Sequence, residues 1–273
     1  MAQNITLSAS IRANLLSLQT TNSLLNRTSE RLATGLRVNS ALDDPGAYFT
    51  SRSLTNRAND LAKLKDGIGQ AIQTIKATDT SLNSITALVE QAQSLVTQAQ
   101  EAQANNLTAT VTSLEGDYNK IKSQVTQLIS DAGYKGVNLL KNVDLKVTFN
   151  EGGSSTLTVQ GVTLDGDLAI STAAWTVTSA TAIDGDLTKI KAALAKLRTT
   201  ASAFGTDLGI IQTREDFTTK FITGLQEGSG RLVDANLEEE SANLLALQTR
   251  QSLGTTSLSF ANQSQQSILQ LFR

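Results

Sequence analysis

Apolar side chains recur at helix spacing along most of this chain, and changes in that recurrence divide it into segments. The first stripe runs Ile11, Leu15, Leu18, Asn22, Leu25, Ser29, Leu32, Leu36, in alternating steps of four and three. Such steps lay a seam along one side of a helix for a partner helix to fill. The other faces are Ser, Thr, Asn and Gln, and Arg12 is the only charge among residues 1–26. A water-facing helix normally carries Lys and Glu on its outer side, so an uncharged outer face predicts that protein covers it too. The last segment has the same character. No charge occurs from Gln251 to Phe272, while Leu258, Phe260, Ile268, Leu269, Leu271 and Phe272 supply apolar surface.

Between these ends the chain is ordinarily charged. The first helix is predicted to end near Thr34 or Gly35, where glycine can take the positive φ of a helix stop. A connector follows through Leu42, with Asn39 inside it, and Asp43-Asp44-Pro45-Gly46 reads as a helix start: an Asp cap, then proline in the first turn. Leu54, Ala58, Leu61, Ile68, Ile72, Ile75, Leu82, Val89, Ala92 and Val96 then keep a heptad-like phase with no proline. At about 1.5 Å per residue that helix spans roughly 65 Å from Leu54 to Val96, the length of a rod. Asn105 and Asn106 mark its end, and a second helix is predicted over about 108–129.

From Gly133 the period shortens. Leu145, Val147 and Phe149 alternate with polar residues, Glu151-Gly152-Gly153-Ser154 supplies a turn, and Leu157 and Val159 alternate again, which predicts a β-hairpin. The segment onward to Ala182, rich in Thr, Ser, Ala and Gly, is expected to hold further short strands or loops and to tolerate insertions. Helix spacing returns at Leu187 and passes through Ile190, Leu194, Leu197, Ala201, Phe204, Leu208, Ile211, Glu215, Thr218, Ile222 and Leu225 without a slip. Gly224, Gly228 and Gly230 are expected to end that helix, Arg231 to Ala235 to connect, and a final helix to start near Asn236 with Leu237, Leu244, Leu247 and Leu258.

This near-palindromic order predicts a mainly α fold: a folded-back rod of long coiled-coil-like helices with a small β-hairpin region and paired N- and C-terminal helices. The expected domains are a terminal polymerisation domain (1–45 with 232–273, connectors included), a helical rod (46–136 with 184–231) and a hairpin surface region (137–183). Ordering about 45 residues costs on the order of 1 to 2 kcal/mol each, while a fully buried Leu returns roughly 1.5 to 3. One pair of terminal helices with bare outer faces is therefore marginal, and folding coupled to association is expected. The expected polymerisation interface is Ile11, Leu15, Leu18, Leu25, Leu32, Leu244, Leu247, Leu258, Ile268, Leu271 and Phe272. Gly35, Asn39, Asp43, Asp44 and Pro45 are the expected connector and cap.

Composition narrows the function classes. A balance of 23 Lys and Arg against 25 Asp and Glu leaves a formal charge of -2, with no electrostatic footprint for nucleic acid. The chain has no Cys and no His, which removes thiol nucleophiles, Ser-His arrangements and zinc sites of Cys or His type. Asp43-Asp44 and Glu238-Glu239-Glu240 read as first-turn acidic features rather than acid/base pairs. Gly228-Ser229-Gly230 reads as a helix stop rather than a phosphate loop. No catalytic residue, cofactor or metal site is expected. No apolar run is long enough to span a membrane and no cleavable signal opens the chain, so any exit from the cell is expected to use a specialised export route.

Two stretches carry a family resemblance. Arg31 to Asp44, RLATGLRVNSALDD, resembles the bacterial flagellin pattern RLSSGLRINSAxDD, and the close from Ser267 to Arg273, SILQLFR, with Ala261-Asn262-Gln263 before it, resembles the flagellin C-terminus. Pro45-Gly46 stands where a pair of alanines is usual, Phe272 stands for a leucine, and an early Asn-Thr-Asn is missing around Thr6 to Ser8. The resemblance implies the structural subunit of a flagellar filament: an inner tube of paired terminal helices, an outer rod layer and a small outward β region. It also implies self-polymerisation, with sister flagellins as further partners. An export chaperone on the C-terminal helix, passage through the flagellar secretion apparatus, and filament-cap and hook–filament junction proteins as partners are implied as well. In flagellins recognised by the innate immune receptor for flagellin the rod carries QRVRELAVQ. The aligned stretch here runs from Glu90 to Gln98 and has Gln91, Gln93 and Ser94 in place of two arginines and a glutamate, beside Leu95; weak receptor activation is expected. The alternatives are a hook–filament junction protein, present in few copies, and an intracellular coiled-coil scaffold, which would keep charged ends.

Overall fold

The computed structural model describes residues 9–271, and among them helix dominates. Helix α1 (Ala9–Thr34) stops where Gly35 takes φ +71°, donating its N–H to the Arg31 carbonyl. Helix α2 (Pro45–Ala104) begins at the proline, with the Asp44 carboxylate accepting from the Ala47 N–H at 3.0 Å. It runs on until Asn106 adopts φ +57°, and α3 (Thr108–Asp131) follows. Strands β1 (Leu145–Thr148) and β2 (Thr156–Val159) pair antiparallel with Val147 opposite Leu157, and the predicted alternation puts Val147, Phe149 and Val159 on the buried face. A short helix α4 (Leu164–Asp167), the long α5 (Ala180–Val233) and α6 (Leu237–Leu271) complete the order. The chain is thus mainly α with one small two-stranded sheet among the described residues.

Two compact units divide the chain: Arg57–Thr223, and Met1–Asn56 with Gly224–Arg273. In the first, one continuous apolar core joins Ile68, Ile75, Leu82, Ile85, Val89 and Val96 of α2 to Val111, Val125 and Ile129 of α3 and to Ile190, Leu197, Phe204 and Ile211 of α5. Every position of the predicted α2 stripe from Ala58 to Val96 is buried, and the α5 stripe from Leu187 to Leu225 alternates buried with half-buried residues. The hairpin closes over this core. Phe149 donates its N–H to the Ser155 carbonyl, and the Asn150 side chain bonds both the Ser155 N–H and the Ser154 hydroxyl. Beyond the hairpin, where short strands or loops are expected, the described residues form loop and α4. This loop is anchored rather than free. Trp175 is buried with its ring 5.0 Å from that of Tyr118, and its Nε1–H donates to the buried Asp186 carboxylate at 2.9 Å. Asn119 brackets the same loop by bonding both the N–H and the carbonyl of Ala173.

Three glycines expected to end α5 do not. The helix runs through Gly224, Gly228 and Gly230 to Val233, leaving only Asp234 to Asn236 as connector. Packing past the glycines keeps the helix going. Gly228 lies in ordinary contact with the Leu54 side chain, and the neighbouring Ser229 hydroxyl is buried against Ser51 Oγ (2.8 Å) and Thr55 Oγ1 (2.9 Å). Those contacts tie α5 to α2 beyond the point where the glycines alone would have ended it.

Candidate functional site

Helices α1 and α6 pack antiparallel, since their contacts descend along one as they ascend along the other. Arg31 pairs with Glu240 at 2.8 Å, Gln251 donates to the Asn22 side chain at 2.7 Å, and Gly254 lies against Leu18. A Cβ at position 254 would sit 2.7 Å from Leu18 Cδ2, so a larger residue there would force the Leu18 side chain to shift.

The inner face of α1 is Ile11, Asn14, Leu18, Thr21, Leu25, Thr28 and Leu32, all buried or half-buried. This shares Ile11, Leu18, Leu25 and Leu32 with the expected seam but takes Asn14, Thr21 and Thr28 in place of Leu15, Asn22 and Ser29. The expected alternation of four and three is replaced by three and four. Buried Thr21 satisfies its hydroxyl on the Ser17 carbonyl at 2.9 Å, which lets a polar residue occupy the seam. The consequence is on the outside: Leu15, Leu16 and Leu24 face away from α6 and are exposed. Helix α6 repeats the arrangement. Glu240, Leu244, Leu247, Gln251, Gly254, Leu258 and Ala261 form its inner face, while Leu245, Leu253 and Phe260 remain 64 to 67% exposed. The pair therefore shelters threonine, asparagine and glutamine among its inner leucines while presenting further leucines and a phenylalanine outward. Its charges gather at one end, where Arg27, Arg31, Glu239, Glu240 and Arg250 line a cleft of about 460 Å³.

The sequence-predicted interface residues fall on both sides of this division. Ile11, Leu18, Leu25, Leu32, Leu244, Leu247 and Leu258 lie on the inner faces, and Leu15 lies outside. Phe272 lies outside the described residues, as do the side chains of Ile268 and Leu271.

Both connectors are tied together by backbone. Leu36 bridges to Asp234, the Arg37 and Val38 N–H groups donate to the Val233 carbonyl, and Ala235 donates to Gly35. Within the first connector one oxygen of Asp43 accepts from the Asn39 N–H (3.2 Å), the Ser40 N–H (2.9 Å) and the Ser40 hydroxyl (3.1 Å). Those bonds, with the Arg31 charge, hold the Asp43 carboxyl below its ordinary value against a small opposing desolvation. Asn39 in turn donates to Glu30. The second connector is capped by Asn236, whose side-chain oxygen accepts from the Glu238 N–H at 3.2 Å. Glu240, expected as one of a first-turn acidic run, is buried and carries the Arg31 ion pair.

On the rod, Gln91 and Ser94 are exposed on α2, while Leu95 is half-buried against the core. Among the described residues no group of His, Cys, Asp or Glu is arranged to hold a metal, and no helix is long and apolar enough to cross a membrane. Sequence reasoning missed the Ser51–Thr55–Ser229 cluster and the Asp186 cluster. In the latter Ser171, Trp175 and Lys189 all donate to one buried carboxylate. The buried Tyr118 hydroxyl beside it has no hydrogen-bond partner, and burial, with the Asp186 charge, pushes its pKa up.

Known family models match both helices of the terminal pair and both connectors. The model of the bacterial flagellin N-terminal helical region matches residues 5–144, and that of the flagellin C-terminal helical region matches residues 187–272. The chain belongs to the bacterial flagellin family. Similar proteins include flagellin FljM of Caulobacter vibrioides, 32% identical over 95% of this chain and 94% of that protein. A flagellin of Brucella melitensis is 32% identical over the full length of both. A crystal structure of Bacillus cereus flagellin gives a TM-score of 0.49 at 17% identity, covering 56% of this chain and 88% of that one. This flagellin is thus a structural subunit that polymerises with copies of itself into the extracellular flagellar filament.

Proposed function

We propose that the terminal helices (1–45 with 232–273) form the inner layer of the filament, that the helical segments 46–136 and 184–231 form its rod layer, and that residues 137–183 face outward. In this reading Ile11, Leu18, Leu25, Leu32, Leu244, Leu247 and Leu258 hold each subunit's own helix pair together. Leu15 meets neighbouring subunits, and Ile268, Leu271 and Phe272 are assigned to the interface from the sequence alone. The observation that carries the reading is the outward display of Leu16, Leu245, Leu253 and Phe260 on a helix pair whose C-terminal stretch has no charge from Gln251 to Phe272. Heterologous contacts whose rotation does not close propagate a helical polymer.

Uncovered apolar helices also need protection before assembly. A chaperone on the C-terminal helix, passage through the flagellar secretion apparatus, and addition against cap and junction proteins fit that need. Sister flagellins with the same terminal faces would enter the same lattice. Gln91 and Ser94 on the rod supply neither the positive nor the negative charge of the immune-receptor motif, and weak receptor activation follows.

The experiment is removal of both ends. A chain trimmed to about residues 46–231 should remain a folded, soluble monomer by circular dichroism and sedimentation while failing to extend filament seeds. Seed growth by the trimmed chain would overturn the reading.

A further inference from the structure

Leu42 is 95% exposed, whereas Phe260, the next most exposed large apolar side chain among the described residues, is at 67%. A leucine so bare on a mobile tail would mean little, but this one sits on a fixed turn. Asp43 donates its N–H to the Ser40 carbonyl at 3.1 Å while its carboxylate accepts the three bonds from Asn39 and Ser40. The Leu42 N–H donates to the Ser40 hydroxyl at 3.3 Å, and Asp44 caps the following helix. The turn therefore holds an apolar knob out in water with little conformational entropy left to lose on docking.

A matching depression exists on the same chain. Thr206, Gly209, Ile210, Thr213 and Arg214 of α5 line a shallow hollow of about 480 Å³. Gly209 leaves its floor open, Ile210 is exposed, and the Arg214 guanidinium is held at its rim over the Phe149 ring at 5.3 Å. Arg214 is the only charge lining it, and the knob is flanked by the carboxylates of Asp43 and Asp44. The charges are complementary.

We infer that Leu42 of one subunit docks into the Gly209–Ile210 hollow of a second copy of this chain, with Arg214 facing the Asp43–Asp44 carboxylates. Knob and hollow are different patches of one molecule, so the contact is heterologous and, where its rotation does not close a ring, repeats from copy to copy. The inference rests on the polymerisation reading and names one contact within it.

The chain has no cysteine, so an introduced pair reports alone. Filaments grown from the L42C/I210C double variant and mildly oxidised should give a ladder of disulfide-linked dimers, trimers and longer species on a non-reducing gel. Bridging requires Cα atoms within about 7 Å, and each single variant should run as monomer. Filaments of the double variant that run only as monomer would overturn the contact. If the double variant does not polymerise, L42D decides. The change lies on the surface and should leave the circular dichroism unaltered, but seeded growth should need about tenfold more subunit, or more still. Growth at the unmodified concentration would overturn the inference. Loss of the knob contact alone leaves the end-trimmed chain still unable to polymerise, which separates this failure from failure of the polymerisation reading.

Discussion

The unit 57–223 and the terminal helix pair are written in the same heptad alphabet, yet they use it in opposite ways. In the first, the stripes of α2 and α5 meet each other, α3 and the hairpin, and Ile68, Ile75, Leu82, Ile85 and Ile190 are entirely buried. In the terminal pair, α1 packs chiefly against α6, the seam mixes leucines with Thr21, Thr28 and Gln251, and Leu16, Leu245, Leu253 and Phe260 look outward. Two helices can cover one face of each other and no more. A third layer is what turns an apolar stripe into a core, and none covers these outward leucines among the described residues. The comparison separates residues that stabilise the subunit from residues that stabilise the polymer.

The sharpest way to break that comparison is to truncate one side chain in each region. Leu82→Ala should lower the unfolding free energy of the monomer by about 2 to 5 kcal/mol, because it opens a cavity in close-packed core. Phe260→Ala should change monomer unfolding by less than about 0.5 kcal/mol, as expected of a surface position, and should nevertheless suppress filament growth. Denaturant unfolding followed by seeded growth measures both. A Phe260 variant that destabilises the monomer as much as the Leu82 variant does would erase the distinction.

A smaller effect tests how the loop beyond the hairpin is held to the rod. Trp175→Phe keeps an aromatic ring against Tyr118 but removes the Nε1–H donor to Asp186. The carboxylate keeps Ser171 and Lys189, so the loss should be about 1.5 to 3 kcal/mol, the worth of a hydrogen bond to a charged group. A shifted denaturant midpoint with an unchanged slope is the expected result. An unshifted midpoint would show that the loop contributes nothing to the unit's stability.

The rod was legible in the sequence because its pattern and its burial agree: each stripe has one apolar side and that side is covered. The hairpin was legible for the same reason, with period two and a glycine turn. The terminal seam was legible only in part. Where leucines occupy both sides of a helix, spacing cannot say which side belongs to the chain's own partner, and the choice fell on Thr21 and Thr28 rather than Asn22 and Ser29. Gly228 misled because the contacts that carry α5 past it, Ser229 with Ser51 and Thr55, lie far away in sequence. The loop anchor at Asp186 and the bare Leu42 were invisible. Both depend on partners or on solvent exposure that no local window contains.

The smallest effect concerns the joint between the regions' different fates, and its sign follows from the carboxylates. Asp43 is held below its ordinary value, chiefly by the Ser40 N–H and hydroxyl, so its contribution is complete above the ordinary carboxylate range and is lost as pH falls through its lowered value. Glu151 on the rod is also lowered, by its own backbone N–H first and then by Arg57, and weakens in the same direction. Asp207 runs the other way, since burial raises it and acid relieves the cost of its charge. The rod thus carries opposing responses, while in the first connector Asp43 is the carboxylate held below its ordinary value. Below about pH 4, where ordinary carboxylates protonate, amide protection at Asn39 and Ser40 should fall before protection at Ile75 and Leu82 does. Asp43→Asn should bring the same loss at neutral pH, because an amide cannot offer a charged oxygen to three donors at once. If core and connector amides lose protection together in the unmodified protein, the connector is part of the rod's cooperative unit and the boundary between the two regions lies elsewhere.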